Sequence, residues 1–150
     1  MIPRNIYHLT WDGSVVPKAR PKFSSESGQA YMPESYVDMK AAAVTSFMDQ
    51  WRSLGFYECI DWQVRPYVFA WGRHYRSQDI VDNFPGTLYD ALVEAGVLRN
   101  DSAKWCPGSV HELGHSKDLP TVDILLAPWT PFVESMGQLA EIIEWLKERG

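Results

Sequence analysis

Asp79-Ile80-Val81-Asp82-Asn83, then Leu88-Tyr89-Asp90-Ala91-Leu92, then Gly96-Val97-Leu98-Arg99-Asn100-Asp101 form the stretch on which the reading of this chain turns. Two acids and an asparagine stand at the entrance to a short helical pattern, and another acid follows its exit. A helix of about three turns would hold those ends roughly 15 Å apart at 1.5 Å rise per residue. The chain after Gly96 must therefore fold back if Asp79, Asp82 and Asp101 are to share a site. Carboxylates gathered in this way repel one another, and a divalent cation is the usual compensation. Each acid taken alone also suits N-cap and loop chemistry. It is the set that points to a site.

The flanking sequence supplies the frame. A helix is predicted from about residue 85 to 94, with Pro85 in its first turn and Gly96 beyond its end. Upstream, residues 61–71 carry Val64, Tyr67, Val68, Phe69 and Trp71 and read as a long strand, in which Pro66 predicts an edge or a bulge. Gly72 ends it, and Arg73, His74 and Arg76 lead into Asp79. Downstream come residues 103–106, a break at Pro107-Gly108, and then 110–113 and 121–126, which read as a hairpin around Ser116-Lys117-Asp118.

Residues 5–10 are a short strand candidate before the turn at Asp12-Gly13. Residues 16–33 read as an ordered but irregular loop, its prolines keeping Lys18, Arg20 and Lys22 extended. Such a loop suits phosphate contacts beside a cleft, or is an ordinary solvated connection. Ser35 with Asp38 resembles a capping box, opening a helix over 35–54 that stops at Gly55. Tyr36, Met39, Ala43, Phe47 and Leu54 mark its core stripe. A last helix spans 134–149, with Met136, Leu139, Ile143 and Leu146 on one seam that suits packing on its own domain or on a partner helix.

At 150 residues, 45% hydrophobic and 22% charged, the chain fits one globular domain with a real core. No apolar run is long enough to cross a bilayer, and the N-terminus lacks the regions of a signal peptide. Cys59 and Cys106 are too few for a disulfide framework and lack zinc-finger spacing, so a reducing, cytoplasmic setting is expected. The net charge of −5 argues against a generic nucleic-acid binder, but its distribution matters more than its sum. Cations gather at Lys18, Arg20 and Lys22, and again at Arg65, Arg73, His74 and Arg76.

His111-Glu112-Leu113-Gly114-His115 matches H-E-x-x-H, in which two histidines one helical turn apart bind zinc and the glutamate activates water. Pro107-Gly108 upstream and Pro120 downstream leave little room for that helix, and Gly114 weakens it. The motif is expected on a strand, with His111 and His115 exposed. A zinc peptidase, with Glu134 as a third ligand, stays as a minor alternative.

With these residues in hand, the chain resembles the RusA family of Holliday junction resolvases, small dimeric Mg-dependent endonucleases often carried by prophages. The likeness runs from about residue 6 to 126. It rests on Pro17-Lys18-Ala19-Arg20-Pro21, Tyr31-Met32-Pro33, the Asp79 to Asn83 segment, Asp90-Ala91-Leu92, Ala95-Gly96 and Asn100-Asp101. The resemblance implies that Asp79, Asp82 and Asp101 are the catalytic, metal-binding acids, that Asp90 is the family's helix aspartate, and that one or two Mg²⁺ ions are held per site. There are three departures. The first acids are spaced D-x-x-D where the family has D-x-D; Gly86 replaces the family's catalytic lysine; and Asn100 replaces an acid. Lys104, Arg99 or Arg76 would have to supply the lost cation.

The expected architecture is a single α+β domain: a mixed sheet with helices on one face over residues 1–130, plus an added C-terminal helix over 131–150. The expected partner is branched DNA, gripped by Lys18, Arg20, Lys22, Arg73 and Arg76 and cut by a homodimer whose symmetry matches a four-way junction. A descendant that binds such DNA without cutting it is the competing reading.

Overall fold

The computed structural model describes residues 2–3, 5–12, 22–26, 28–72, 86–115 and 121–149. In chain order its elements are β1 (Tyr7–Asp12), β2 (Lys22–Phe23), β3 (Ala30–Tyr31), α1 (Glu34–Ser53), β4 (Val64–Gly72), α2 (Gly86–Glu94), β5 (Val110–His115), β6 (Thr121–Pro128) and α3 (Phe132–Arg149). The fold is α+β, with one mixed four-stranded sheet in the order β1-β6-β4-β5. β2 and β3 form a separate two-residue ladder, Lys22↔Tyr31 and Phe23↔Ala30. The described part of the segment read as irregular loop is therefore a small hairpin. Its turn is closed by Ser24 N–H to Gln29 O at 2.9 Å.

The expected hairpin between 110–113 and 121–126 does not form. β4 lies between β5 and β6, parallel to β5 from Tyr67↔Val110 to Gly72↔His115 and antiparallel to β6 from Val64↔Pro128 to Trp71↔Thr121. The side chains explain this order. β4 and β6 are apolar on both faces and are satisfied only at the centre of a covered sheet, whereas β5 exposes His111 and Glu112 and suits an edge. Pro66 consequently sits in a central strand, not an edge strand. It stands one residue before the parallel ladder begins at Tyr67, so its missing N–H falls at the unpaired end of that side. Residues 103–105 form a turn, with no strand before Val110.

Strand alternation divides the core in two. Leu9, Val64, Val68, Ala70, Val122, Ile124 and Leu126 meet α1 (Met39, Ala43, Phe47, Trp51) and α2 (Leu88, Ala91, Leu92) on one face. On the other face Tyr67, Phe69, Leu125 and Ala127 meet α3 through Ile142, Leu139, Trp145 and Leu146. The added helix thus covers the face that the other two leave open. Its seam is rotated from the expected one, since Ile142 is buried while Met136 and Ile143 are exposed. Gln138 ties it to the sheet, accepting from the Tyr67 hydroxyl at 2.7 Å and donating to Pro128 O at 3.2 Å. Among the described residues no helix is long and apolar enough to cross a membrane.

α1 begins at Pro33 without a side-chain cap, so Ser35 and Asp38 form no capping box. Near its other end, Gln50 closes the sheet's β1 edge. Its amide accepts from Thr10 N–H at 2.8 Å and donates to Thr10 O at 2.7 Å. An exposed strand edge is a template for unwanted pairing, and this amide occupies the edge as another strand would. Gln50→Ala is expected to lower unfolding free energy by about 1–3 kcal/mol, from two lost hydrogen bonds at roughly 0.5–1.5 kcal/mol each. Urea titration followed by circular dichroism checks this.

Candidate active site

α2 is short, and its buried face (Thr87, Leu88, Ala91, Leu92) leaves Tyr89 and Asp90 at the margins of the core. Its end decides where the next acid goes. Gly96 adopts φ +80°, and its N–H bonds to Val93 O at 3.1 Å while Val97 N–H reaches Leu92 O at 3.0 Å. This is the Schellman closure, which a β-carbon would strain. Val97 and Leu98 then bury themselves in the core beside Leu92, and the chain turns back. The returning loop is pinned to the segment before β4. Ile60 N–H bonds to Val97 O at 3.0 Å, Val64 N–H to Trp105 O at 2.8 Å, and the Gln63 side-chain amide to Lys104 O at 2.9 Å.

Asp101 rides on this loop. Asn100 accepts from Ser102 N–H at 2.8 Å, an Asx turn that presents its neighbour to solvent. Asp101 is exposed, and its carboxylate makes no hydrogen bond or ion pair among the described residues. Its charge still reaches inward, to the Tyr89 hydroxyl and the Cys106 thiol. The chain after Gly96 brings His111 back to the Tyr89 hydroxyl in the first half of α2, so it returns along that helix. Burial, with Asp101 adding to it, pushes the Cys106 thiol up to about 11.

The Tyr89 hydroxyl is a meeting point. It is bonded to Ser109 and to Nε2 of His111 on β5. Burial raises the Tyr89 pKa far above its ordinary value and lowers that of His111, so the bond joins a protonated hydroxyl to an uncharged imidazole. Sequence reasoning had no reason to pick Tyr89, because nothing in the local pattern shows that β5 will run past α2. His111 drew notice only through H-E-x-x-H. That match lies on strand β5, where residues four apart are separated by roughly 13 Å, and the two histidines cannot share one zinc as they would across a helical turn. The peptidase reading is overturned by this geometry.

Asp90 turns toward α1, accepting from the Tyr36 hydroxyl at 2.9 Å. Burial, and then this bond, push the Tyr36 pKa up to about 12. Its described role is to join two helices, reinforced by Lys40 with Glu94 at 3.2 Å. Arg99 and Lys104 both lie over the Trp105 ring, 4.7 Å and 5.5 Å from its centroid. They gather exposed positive charge on the Asp101 loop.

Asp79, Asp82, Lys18, Arg20, Arg73 and Arg76 fall outside the described residues, and Lys22 is described only as a backbone position on β2. Among the described residues no three histidine, cysteine or acidic side chains form a metal cluster. What Asp101 offers is a hard oxygen donor, unpaired among the described residues, which suits Mg²⁺ better than zinc.

The family model of Endodeoxyribonuclease RusA matches residues 12–123. The chain belongs to this family. The matched span takes in the Asp79 to Asp101 segment, the return loop and β5, and it ends within β6, so α3 lies beyond it. No curated protein matches the chain. RusA membership places the chain in an endodeoxyribonuclease family, not among the zinc peptidases.

The Asp101–Cys106 proximity can be read without any DNA. In a Cys59→Ser background, Cys106 should alkylate slowly at pH 8. Asp101→Asn should speed it severalfold, because removing a negative charge lowers the thiol pKa. Added Mg²⁺ should likewise speed alkylation while Asp101 is present and have no effect in the Asp101→Asn variant, as followed by mass spectrometry.

Proposed function

We propose that this protein is a Mg²⁺-dependent endodeoxyribonuclease that resolves four-way DNA junctions in recombination and repair, acting as a homodimer in the cytoplasm. The observation that carries the proposal is the RusA match across the whole acid-bearing segment. The folded-back loop, which carries an exposed Asp101 with no hydrogen bond or ion pair among the described residues, supports it.

Asp79, Asp82 and Asp101 would hold the metal. When bound, Mg²⁺ lowers the pKa of coordinated water and offsets the charge that builds on the phosphate. The chain's own tasks are to gather the carboxylates and hold the DNA. Gly96 and the Asx turn at Asn100 fix Asp101. Lys18, Arg20, Lys22, Arg73 and Arg76 would grip the junction arms, and Arg99 and Lys104 add two cations on the Asp101 loop itself. Residues 1–130 would form the endonuclease domain and 131–150 its helical extension.

Cleavage of a labelled four-way junction, with and without Mg²⁺ and beside a linear duplex, tests the proposal. Paired symmetric nicks are expected only in the junction and only with metal, and Asp101→Asn should abolish them. Full cleavage by Asp101→Asn would refute the site assignment. Junction binding with no product would identify a binder that has lost its chemistry.

Arg99→Ala with Lys104→Ala should weaken junction binding and flatten the dependence of log K on log salt by about 2, roughly one for each phosphate no longer neutralised. Titrations at several salt concentrations measure that slope.

A further inference from the structure

The chain between α1 and β4 walls a cavity of about 350 Å³, within the size range of small-molecule sites. Gly55, at φ +92°, ends α1 in a Schellman closure: its N–H reaches Arg52 O at 2.9 Å, and Phe56 N–H reaches Trp51 O at 3.2 Å. Phe56 is thereby stacked on Trp51, with ring centroids 4.5 Å apart, and Tyr7 of β1 meets both edge-on. Trp51 Nε1 donates to Glu58 O at 3.0 Å, and Ile60 N–H to Val97 O at 3.0 Å. The wall is fixed at several points and needs little ordering to receive a ligand.

Two rings of this wall are not consumed by packing. Tyr57 is 81% exposed, and Trp62 has only a loose, tilted contact with Tyr7, 6.0 Å between centroids. Glu58 and Asp61 line the same cavity, and both are exposed. Among the described residues neither carboxylate makes a hydrogen bond or ion pair, and no lysine or arginine lies over a lining ring. Even Arg52, beside Trp51 in the chain, pairs with neither acid.

Aromatic faces attract cations, and two carboxylates add direct attraction. The same carboxylates repel phosphate, so this cavity is no part of a grip on DNA. Rings suit a cation that sheds water easily, such as a methylated ammonium or a guanidinium, more than a small metal ion.

We propose that this cavity is a binding site for an organic cation, a quaternary ammonium or guanidinium group held against Tyr57 and Trp62 and neutralised by Glu58 and Asp61. Its occupancy does not depend on whether the chain cuts DNA. Such a group comes from a free small molecule or from an arginine side chain of a protein, and the choice of probes separates the two.

NMR titration of the full chain with choline and with N-acetylarginine amide tests the site. Saturable shifts are expected at the amides of Tyr57, Glu58 and Asp61 and at the Trp62 indole, and the tighter probe identifies the source. The uncharged carbon analogue of choline and the citrulline counterpart of the arginine probe should bind at least about tenfold more weakly. Tyr57→Leu should weaken both cations about threefold. Glu58→Gln with Asp61→Asn should weaken them about tenfold. These variants change only exposed side chains, and unshifted signals from Val68 and Ile124 in the sheet check that the fold persists.

Equal affinity for the uncharged analogues, unchanged affinity in the Glu58→Gln, Asp61→Asn variant, or shifts that never saturate would overturn the assignment. Shifts confined to Glu141, Glu144 and Glu148 on α3 would overturn it too, because a generic attraction of cations to acids acts there as well.

Discussion

The reversal at Gly96 is the constraint on which the site depends. A helix of nine residues carries its two ends apart, and the acids flanking α2 stay apart unless the chain returns along its own helix. The left-handed backbone of Gly96 starts that return, and burial of Val97 and Leu98 holds it. Backbone bonds to Ile60 and Val64 then lock the loop to the start of β4. Asp101 can remain exposed and without hydrogen bond or ion pair among the described residues because the loop's stability comes from elsewhere. The separation is physically sensible, since an acid that served its own loop as an ion-pair partner would be less available to a cation.

The sheet provides the rest of the frame. Its two central strands, β4 and β6, are buried on both faces, and each face has its own helical cover. Beneath α3, Asp123 is only 3% exposed and is satisfied on both oxygens, by His8 Nε2 at 2.8 Å and Trp71 Nε1 at 3.1 Å. A buried carboxylate costs several kcal/mol without such partners. This cluster fastens β1, β4 and β6 together on the face away from Asp101, so the buried charge and the candidate chemistry are kept apart.

Much of this was legible in the sequence. The two long helices and α2 lie close to their predicted bounds, because glycine stops and periodic apolar stripes are local signals. From the sequence, a fold-back of the loop was required only if Asp79, Asp82 and Asp101 share a site. Strand order did not follow: residues 110–113 and 121–126 are neighbours in the chain, and a hairpin is the economical guess. Only the two-sided apolarity of β4 and β6 against the polar β5 argues for inserting β4 between them. The convergence of Tyr89 and His111 depends on that same insertion, so it was hidden with it. Asp90 shows the reverse case, an acid in a telling motif whose described partner is the Tyr36 hydroxyl of a neighbouring helix.

The central claim is that the loop brings Asp101 into one metal site with Asp79 and Asp82, and the most direct measurement is paramagnetic broadening of backbone amide signals by trace Mn²⁺. The account predicts early loss of the signals around Tyr89, Asp101 and Cys106 in the wild-type protein. That loss should be absent when Asp79 and Asp82 are both changed to asparagine. Broadening confined to the acidic outer face of α3, at Glu141, Glu144 and Glu148, or persisting around Asp101 without the other two acids, would contradict it.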